Sequence, residues 1–422
     1  MILPIGRMNK MQGLAVMGHG VVGSGVVELF YMNRESIEAR AGEKLELRHV
    51  LDLREFPDLA YSDKFTTDFN DILNDPEVTV VAEVMGGLKP AYDFVKALLE
   101  AGKHVVTSNK ELVAAKGAEL LAVAKEHNVN FMFEASVGGG IPILRPMHQC
   151  LSANTFTEIL GILNGTTNFI MTKMIKEGMA FDEALALAQQ LGYAERNPSA
   201  DVDGHDACRK ICILASLAYG KHVYPAQVQT EGITKITATD VAFAKVHNCV
   251  IKLIGRTRME ESGKVQCTVS PMLIPGTSPL SMVDDVFNAI MVRGNATGDV
   301  MFYGKGAGKL PTASAVVADM IDCVVHKDHR KAIDWTDGAT DYVADCKTEE
   351  MAVYVHAKAA NIETAYTEIN KVFCCVEALD YADAPAQEIA FIAPKAPVGE
   401  TLEKLKSLSM QIEPINVFWV CE

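Results

Sequence analysis

The 422-residue chain has no CxxC pair, and its ten cysteines are scattered, most of them within apolar runs. That excludes a zinc ribbon and a thioredoxin-type motif, and it fits buried, reduced thiols in a reducing cytoplasm. No stretch approaches 18 uncharged apolar residues, so no transmembrane helix is expected. The first twelve residues lack the apolar core and small-residue cleavage site of a signal peptide; they read as a short disordered lead-in to the first strand. Positive charge is also scarce. With 39 Lys and Arg against 54 Asp and Glu, the net charge is −15. The chain therefore has no global field for nucleic acid or an anionic membrane. Neither an internal repeat nor a low-complexity tract is present. What remains is 49% apolar and 22% charged, enough for a large core. At about 100–200 residues per domain, the length allows two to four domains.

The first half alternates between β-rich apolar runs and amphipathic helical runs. Strands are predicted at 13–17, 45–53, 78–84, 103–107 and 129–134. Helices are predicted at 21–40, 90–101 and 110–127. That alternation implies a parallel sheet covered by helices. From about residue 141 the pattern becomes α+β. A strand at 155–163 is followed by helices at 166–177, 181–191 and 206–219. Two hairpins, 250–259 with 264–273 and 288–293 with 299–303, precede a helix at 310–325. A polar linker is expected at 334–341. The last seventy residues read β (351–357), α (361–370), β (372–379), β (387–393), α (398–408), β (411–420).

Two segments carry chemistry. Gly18-His19-Gly20-Val21-Val22-Gly23 fits GxGxxG between a strand and a helix. In that pattern Gly18 permits the tight turn, Gly20 lets the backbone approach a pyrophosphate, and Gly23 lets helix and strand pack closely. The helix N-terminus then faces the anion. Asp52 ends the second strand, where a carboxylate grips the ribose 2′-hydroxyl of NAD; Arg54 beside it would suit the 2′-phosphate of NADP. The sequence offers both and does not choose.

The second segment is a pair of regions rich in charge. Lys110 follows a buried strand at its C-terminal edge, where α/β sheets bind ligands. Residues 192–210 hold Glu195, Asp201, Asp203 and Asp206 in a loop that runs into a helix bearing Lys210. Asp206 and Lys210 are i,i+4 and share a helix face. As an exposed ion pair they would contribute only about 0.3–0.5 kcal/mol. As a site, the acids would clamp an ammonium while a lysine handles a proton at a carbonyl or alcohol oxygen. A zinc or calcium centre is a third reading, although the loop has neither paired histidines nor EF-hand spacing.

At these residues the chain resembles the homoserine dehydrogenase family, in its monofunctional form. The matching segments are Gly18-His19-Gly20-Val21-Val22-Gly23, Glu83-Val84-Met85-Gly86-Gly87, 102–110, 134–142, 161–168, 192–210 and 303–314, in the family's order. The resemblance implies a Rossmann-type NAD(P)-binding domain over 1–140, closed by the helix 310–325. It also implies a substrate-binding and dimerisation domain over 141–309, and a homodimer or homotetramer. The reaction implied is the reversible NAD(P)H-dependent reduction of L-aspartate 4-semialdehyde to L-homoserine, in threonine and methionine biosynthesis. Lys210 matches the family's proton donor and Lys110 its second active-site lysine. Two such lysines are expected to lower each other's pKa. Glu195, Asp206, Asp201 and Thr166 fall at substrate-side positions. Gly86, Gly87, Gly192 and Gly306 fall at the cofactor. Glu134, Val137, Gly139 and Ile141 match a monovalent cation (Na+) site built largely from carbonyl oxygens. The family's usual Pro-Asp after the loop glutamate is Arg196-Asn197 here, which removes one acid.

The βαββαβ order of the C-terminal region suits a ferredoxin-like sandwich over 345–422. In the resembled family this position holds an ACT domain, which binds amino-acid effectors such as threonine. The usual acidic-Pro-Gly loop after its first strand is replaced by His356-Ala357-Lys358-Ala359-Ala360-Asn361-Ile362.

Overall fold

The computed structural model describes residues 11–421; the lead-in expected over the first residues lies almost wholly outside them. The first sheet is six-stranded and parallel. Its order is Phe65–Thr66, Lys44–Leu51, Met11–Met17, Val78–Glu83, His104–Thr107, Phe131–Met132. In sequence order this is 3-2-1-4-5-6, with the chain reversing direction across the sheet between Met11–Met17 and Val78–Glu83. Side chains alternate along a strand. Leu14 and Val16 pack with Val26, Val27, Phe30, Val317 and Met320 on one face, while Ala15 and Met17 join Val95, Leu99 and Leu112 on the other. The helix Lys309–Val325 thus returns to cover the first sheet.

Two predicted elements differ. The helix over 21–40 is broken into Val21–Met32 and Arg34–Ala41. Asn33 caps both pieces with φ −116°, so the helix axis redirects before the second strand. The strand over 129–134 shortens to Phe131–Met132, because Glu134 turns away into a 3₁₀ turn, its N–H donating to Asp319.

The second sheet runs Gly298–Lys305, Phe287–Gly294, Phe156–Ile162, Cys249–Met259, Val265–Pro275, Ile412–Val420, Glu350–Ala359, Glu388–Pro397, Glu377–Leu379. The last four strands, with helices Ile362–Phe373 and Val398–Ser407, follow the order 4-1-3-2 of a ferredoxin-like βαββαβ unit. This unit is stitched into the sheet of the middle region. Met272 and Leu273 pair in parallel with Trp419 and Val420. Ile254, Met272 and Ile274 share a core with Val353, Phe391 and Trp419.

The expected linker at 334–341 is docked. Trp335 is buried, its indole N–H donating to His222 Nδ1 at 2.8 Å. The strand expected at 351–357 runs on to Ala359, into the stretch that stands in for the motif loop, since pairing with Ile412–Val420 and Glu388–Pro397 continues.

His356 is buried inside that strand. Its Nδ1 lies 2.8 Å from Asp240 Oδ1 and its Nε2 lies 3.0 Å from Glu388 Oε2. Asp240, on the helix Ala238–Val246, also accepts from Tyr354 and Asn416. Burial alone would push the imidazole pKa down, but the two carboxylates outweigh it and hold it above the usual histidine value. Both ring nitrogens face acceptors, so the imidazolium satisfies both. Its contribution is therefore complete below about pH 6.5 and fades as pH rises through the folded-state value. His356→Ala should lower unfolding free energy by about 1–3 kcal/mol near pH 6 and by less near pH 9. Chemical denaturation at both pH values measures this; an equal loss at both would remove the charged pairing.

Candidate active site

The glycine loop follows the strand Met11–Met17. Gly18 has φ +96°, a conformation that costs a side-chain residue energy. A Cβ on Gly23 would lie 1.9 Å from the Gly18 carbonyl oxygen, so only glycine lets helix Val21–Met32 start this close to the loop. At Gly20 a Cβ would meet nothing within 4 Å. The helix has no side-chain cap and no acid in its first turn. Open space before uncapped N–H groups fits a pyrophosphate. Val21 and Val22 open this helix, with Val21 68% exposed.

Asp52 lies just past the second strand. Its Oδ2 accepts from the His19 N–H at 2.8 Å, and Arg54 donates to both carboxylate oxygens at 2.9 Å. Arg54 thereby holds the carboxyl well below the usual carboxylate range, against the opposing effect of burial. Arg54 itself is largely exposed and also reaches the His19 carbonyl. Both residues therefore stand at the loop. Gly86 and Gly87, exposed and with positive φ, form the next turn along the sheet edge. Glu83 fixes this turn from below. It is fully buried, accepts from Met85 N–H at 2.9 Å and from Thr107 Oγ1 at 2.6 Å, and burial pushes its pKa up. Asn109 caps the helix Lys110–Glu126 and donates to the Gly87 carbonyl at 2.6 Å.

The charged cluster assembles beyond this edge. Lys110 opens its helix, and Asp206 and Lys210 lie on the helix His205–Tyr219. Asp206 Oδ1 lies 2.8 Å from Lys110 Nζ, and its Oδ2 lies 2.7 Å from Lys210 Nζ. The pair on the long helix is no surface ion pair: Asp206 is 4% and Lys210 7% exposed. Lys210 also donates to the Leu163 carbonyl at 2.7 Å. Asn164 donates to Asp206 at 2.9 Å and to Asp201 at 2.7 Å.

Burial opposes ionisation of Asp206, yet the two ammonium groups overcome it and hold its pKa below the usual range. Burial lowers Lys210, assisted by Lys110 and resisted by Asp206. For Lys110 the attraction of Asp206 dominates and the pKa rises. The expectation that the lysines depress each other is thus corrected for Lys110, because a carboxylate stands between them. Asp201 is raised, chiefly by burial.

Not every expected residue joins the cluster. Glu195 is exposed, and its carboxylate makes no hydrogen bond or ion pair among the described residues; only its carbonyl is engaged, by Gln189. Thr166 directs its hydroxyl to the Tyr193 carbonyl at 2.7 Å, which seats the turn at Gly192 on the helix Gly165–Glu177. Gly306 is buried under Asn288, where a Cβ would come within 2.0 Å of the amide. The Glu134 carboxylate is fully engaged, accepting from the N–H groups of Ile143, Leu144 and Arg145 at 2.6–2.9 Å. A cation at this loop would therefore use carbonyls. Those of Val137, Gly139 and Ile141 accept no hydrogen bond among the described residues. No three His, Cys, Asp or Glu side chains among the described residues come together as a metal set.

Sequence reasoning missed Asn164, Glu83 and Asn109. For Asn164 and Asn109 the legible signal was a capping residue before a helix. For Glu83 it was an acid ending an otherwise apolar buried strand.

Two sequence profiles match. One, described as the NAD-binding domain of homoserine dehydrogenase, covers residues 18–134; the other, described as homoserine dehydrogenase, covers 142–321. A homoserine dehydrogenase from Bacillus subtilis (strain 168) is 44% identical over 311 residues, 73% of this chain and 72% of its own length. The chain belongs to the homoserine dehydrogenase family. Another, from Synechocystis, is 43% identical over 333 residues, 76% of each chain. The crystal structure of a homoserine dehydrogenase from Thiobacillus denitrificans matches with a TM-score of 0.88 at 32% identity, over 98% of this chain and 99% of that one. A hyperthermophilic archaeal homoserine dehydrogenase, a mutant solved in complex with NADPH, matches at 0.64 with 27% identity, over 75% of this chain and 98% of that one. As a member of that family the protein is an NAD(P)-dependent oxidoreductase of aspartate-family amino-acid biosynthesis. Among the described residues no helix is long and apolar enough to cross a membrane.

Removing one partner of a buried ion pair leaves the other charge uncompensated. Asp206→Asn should cost about 3–5 kcal/mol of unfolding free energy at neutral pH. Because the Asp206 pKa is depressed, the wild-type advantage should shrink as pH falls below about 4. Urea unfolding across pH tests both; a pH-independent loss below about 1 kcal/mol would contradict the buried pairing.

Proposed function

We propose that Lys210 is the proton donor in the reduction of L-aspartate 4-semialdehyde to L-homoserine. The observation that carries this reading is the state of its ammonium. Two of its three N–H donors are held, one by Leu163 and one by Asp206, so the third is available to a substrate oxygen. When bound, NAD(P)H supplies the hydride. As negative charge grows on the aldehyde oxygen, Lys210 stabilises it and delivers the proton. Lys110, held protonated by Asp206, keeps positive charge beside the same oxygen. Glu195 and Asp201 bind the substrate's ammonium; the exposed Glu195 carboxylate is free for that role, and Arg196-Asn197 supplies no further acid beside it. No covalent intermediate is required, so no cysteine takes part.

The Rossmann loop takes the dinucleotide, and NADP is favoured. Both Asp52 oxygens are already engaged, while the exposed Arg54 guanidinium can turn to a 2′-phosphate. The carbonyls of Val137, Gly139 and Ile141 hold a monovalent cation. The middle region supplies a dimer contact, supported by exposed Met301 and Tyr303 on the open edge strand Gly298–Lys305. Threonine is the effector proposed for the C-terminal unit. Titrating it into the assay tests this, and unchanged turnover would remove it.

The central test follows nicotinamide absorbance with the semialdehyde and either NADPH or NADH. Faster turnover with NADPH is expected, and Arg54→Ala should narrow the difference. Lys210→Met should reduce kcat by roughly 100-fold or more while nucleotide binding persists. Because Lys210 is depressed, reduction should fail at a pH below the usual lysine value of about 10.5, and homoserine oxidation should rise over the same interval. Undiminished turnover in Lys210→Met would overturn the assignment.

A further inference from the structure

Asn164 stands between the strand Phe156–Ile162 and the helix Gly165–Glu177, and it is 5% exposed. Both polar atoms of its side chain are engaged. Oδ1 accepts from the Thr167 N–H at 2.8 Å and caps the helix. Nδ2 donates to Asp206 Oδ2 at 2.9 Å and to Asp201 Oδ1 at 2.7 Å. The Asp206 oxygen it meets is the one that also faces Lys210. The preceding residue, Leu163, offers its carbonyl to the Lys210 ammonium. Two consecutive residues therefore hold the two ends of one ion pair, the carbonyl of 163 on the cation and the amide of 164 on the anion.

We propose that Asn164 is a positioning residue: it fixes the rotation of the Asp206 carboxylate and thereby the direction in which Lys210 presents its remaining proton. The reasoning is geometric. A carboxylate with cations on both oxygens can turn about its Cβ–Cγ bond towards either one. A third donor, placed on Oδ2 by a side chain that is itself locked at its oxygen, removes that freedom. Only a primary amide gives two donors and one acceptor in a plane. It can cap a helix and hold two acids at once, which keeps Asp201 and Asp206 bridged rather than repelling each other. Serine offers one proton and aspartate, ionised, none. The inference rests on Lys210 as proton donor.

Serine and aspartate cap helices about as well as asparagine, so they separate the two duties of this side chain. Asn164→Ser keeps the cap but leaves Asp201 and Asp206 each short of a donor, so it should lower the melting temperature by a few degrees, with NADPH affinity unchanged. Its kcat should fall roughly 10–100-fold with a smaller change in KM. The pH at which reduction fails should also shift, because Asn164 sets how the Asp206 charge is presented to Lys210. A mere helix cap would not move that inflection. Wild-type kcat and inflection in a folded Asn164→Ser, or activity lost in step with melting temperature at an unmoved inflection, would overturn the proposal. Should the serine variant not fold, Asn164→Asp takes its place, and wild-type kcat there would overturn it equally. Lys210→Met separates the two claims. If it keeps full turnover, the proton-donor reading falls and this inference with it; if it is inactive while Asn164→Ser is unaffected, only this inference falls.

Discussion

A carboxylate buried between two ammonium groups is costly to desolvate and cannot be left half-paired. Asp206 is such a group, and meeting its needs constrains a large part of the molecule. Lys110 must arrive from the edge of the nucleotide sheet, Lys210 from one turn along the same helix, and Asn164 from the end of a strand in the other sheet. The cluster therefore ties the first sheet to the second beyond the edge that carries the glycine loop. The contacts that pair these charges also order the elements relative to each other.

The C-terminal unit extends this logic to the far side of the middle sheet. It has the strand order of a ferredoxin-like module, yet Met272 and Leu273 pair with its last strand and its apolar residues enter a common core. The Asp240–His356–Glu388 contact adds a charged tie to the helix Ala238–Val246. Hydrogen-bonded strands therefore run without a break from that unit to Phe156–Ile162, which leads into Leu163 and Asn164. Arg256 reinforces the same stretch, pairing with Glu158 on this strand and with Glu349 beside the C-terminal unit.

Elements with a strong period were legible from residues alone. The hairpin around Gly263, the helix ending before Gly220 and the βαββαβ order of the last seventy residues all lie within a few residues of where the pattern put them. Departures arose where a tertiary contact competed with local pattern. Asn33 divides a helix whose apolar spacing reads as unbroken, and it does so where the chain must turn onto the second strand. Trp335 draws a polar, linker-like stretch onto His222. Lys358 and Ala359 lie past the predicted strand, in a stretch that reads as a loop by comparison with a motif, but cross-strand pairing makes them strand.

For the site, residue type and order were enough to nominate the glycine loop, Asp52, Lys110, Asp206 and Lys210, because each belongs to a short motif with a local physical reason. The sequence by itself determined the two architectures, the nucleotide-binding turn and the inventory of acids and lysines. Only the tertiary structure decided how those charges pair. It set Arg54 across Asp52, committed the Glu134 carboxylate to three backbone N–H groups, left Glu195 exposed and placed Asp206 between two lysines far apart in the chain, Lys110 and Lys210. Spacing along the chain reports which residues share a helix face. The sign and size of a pKa shift depend on burial and on neighbours in space, and those exist only once the chain has folded.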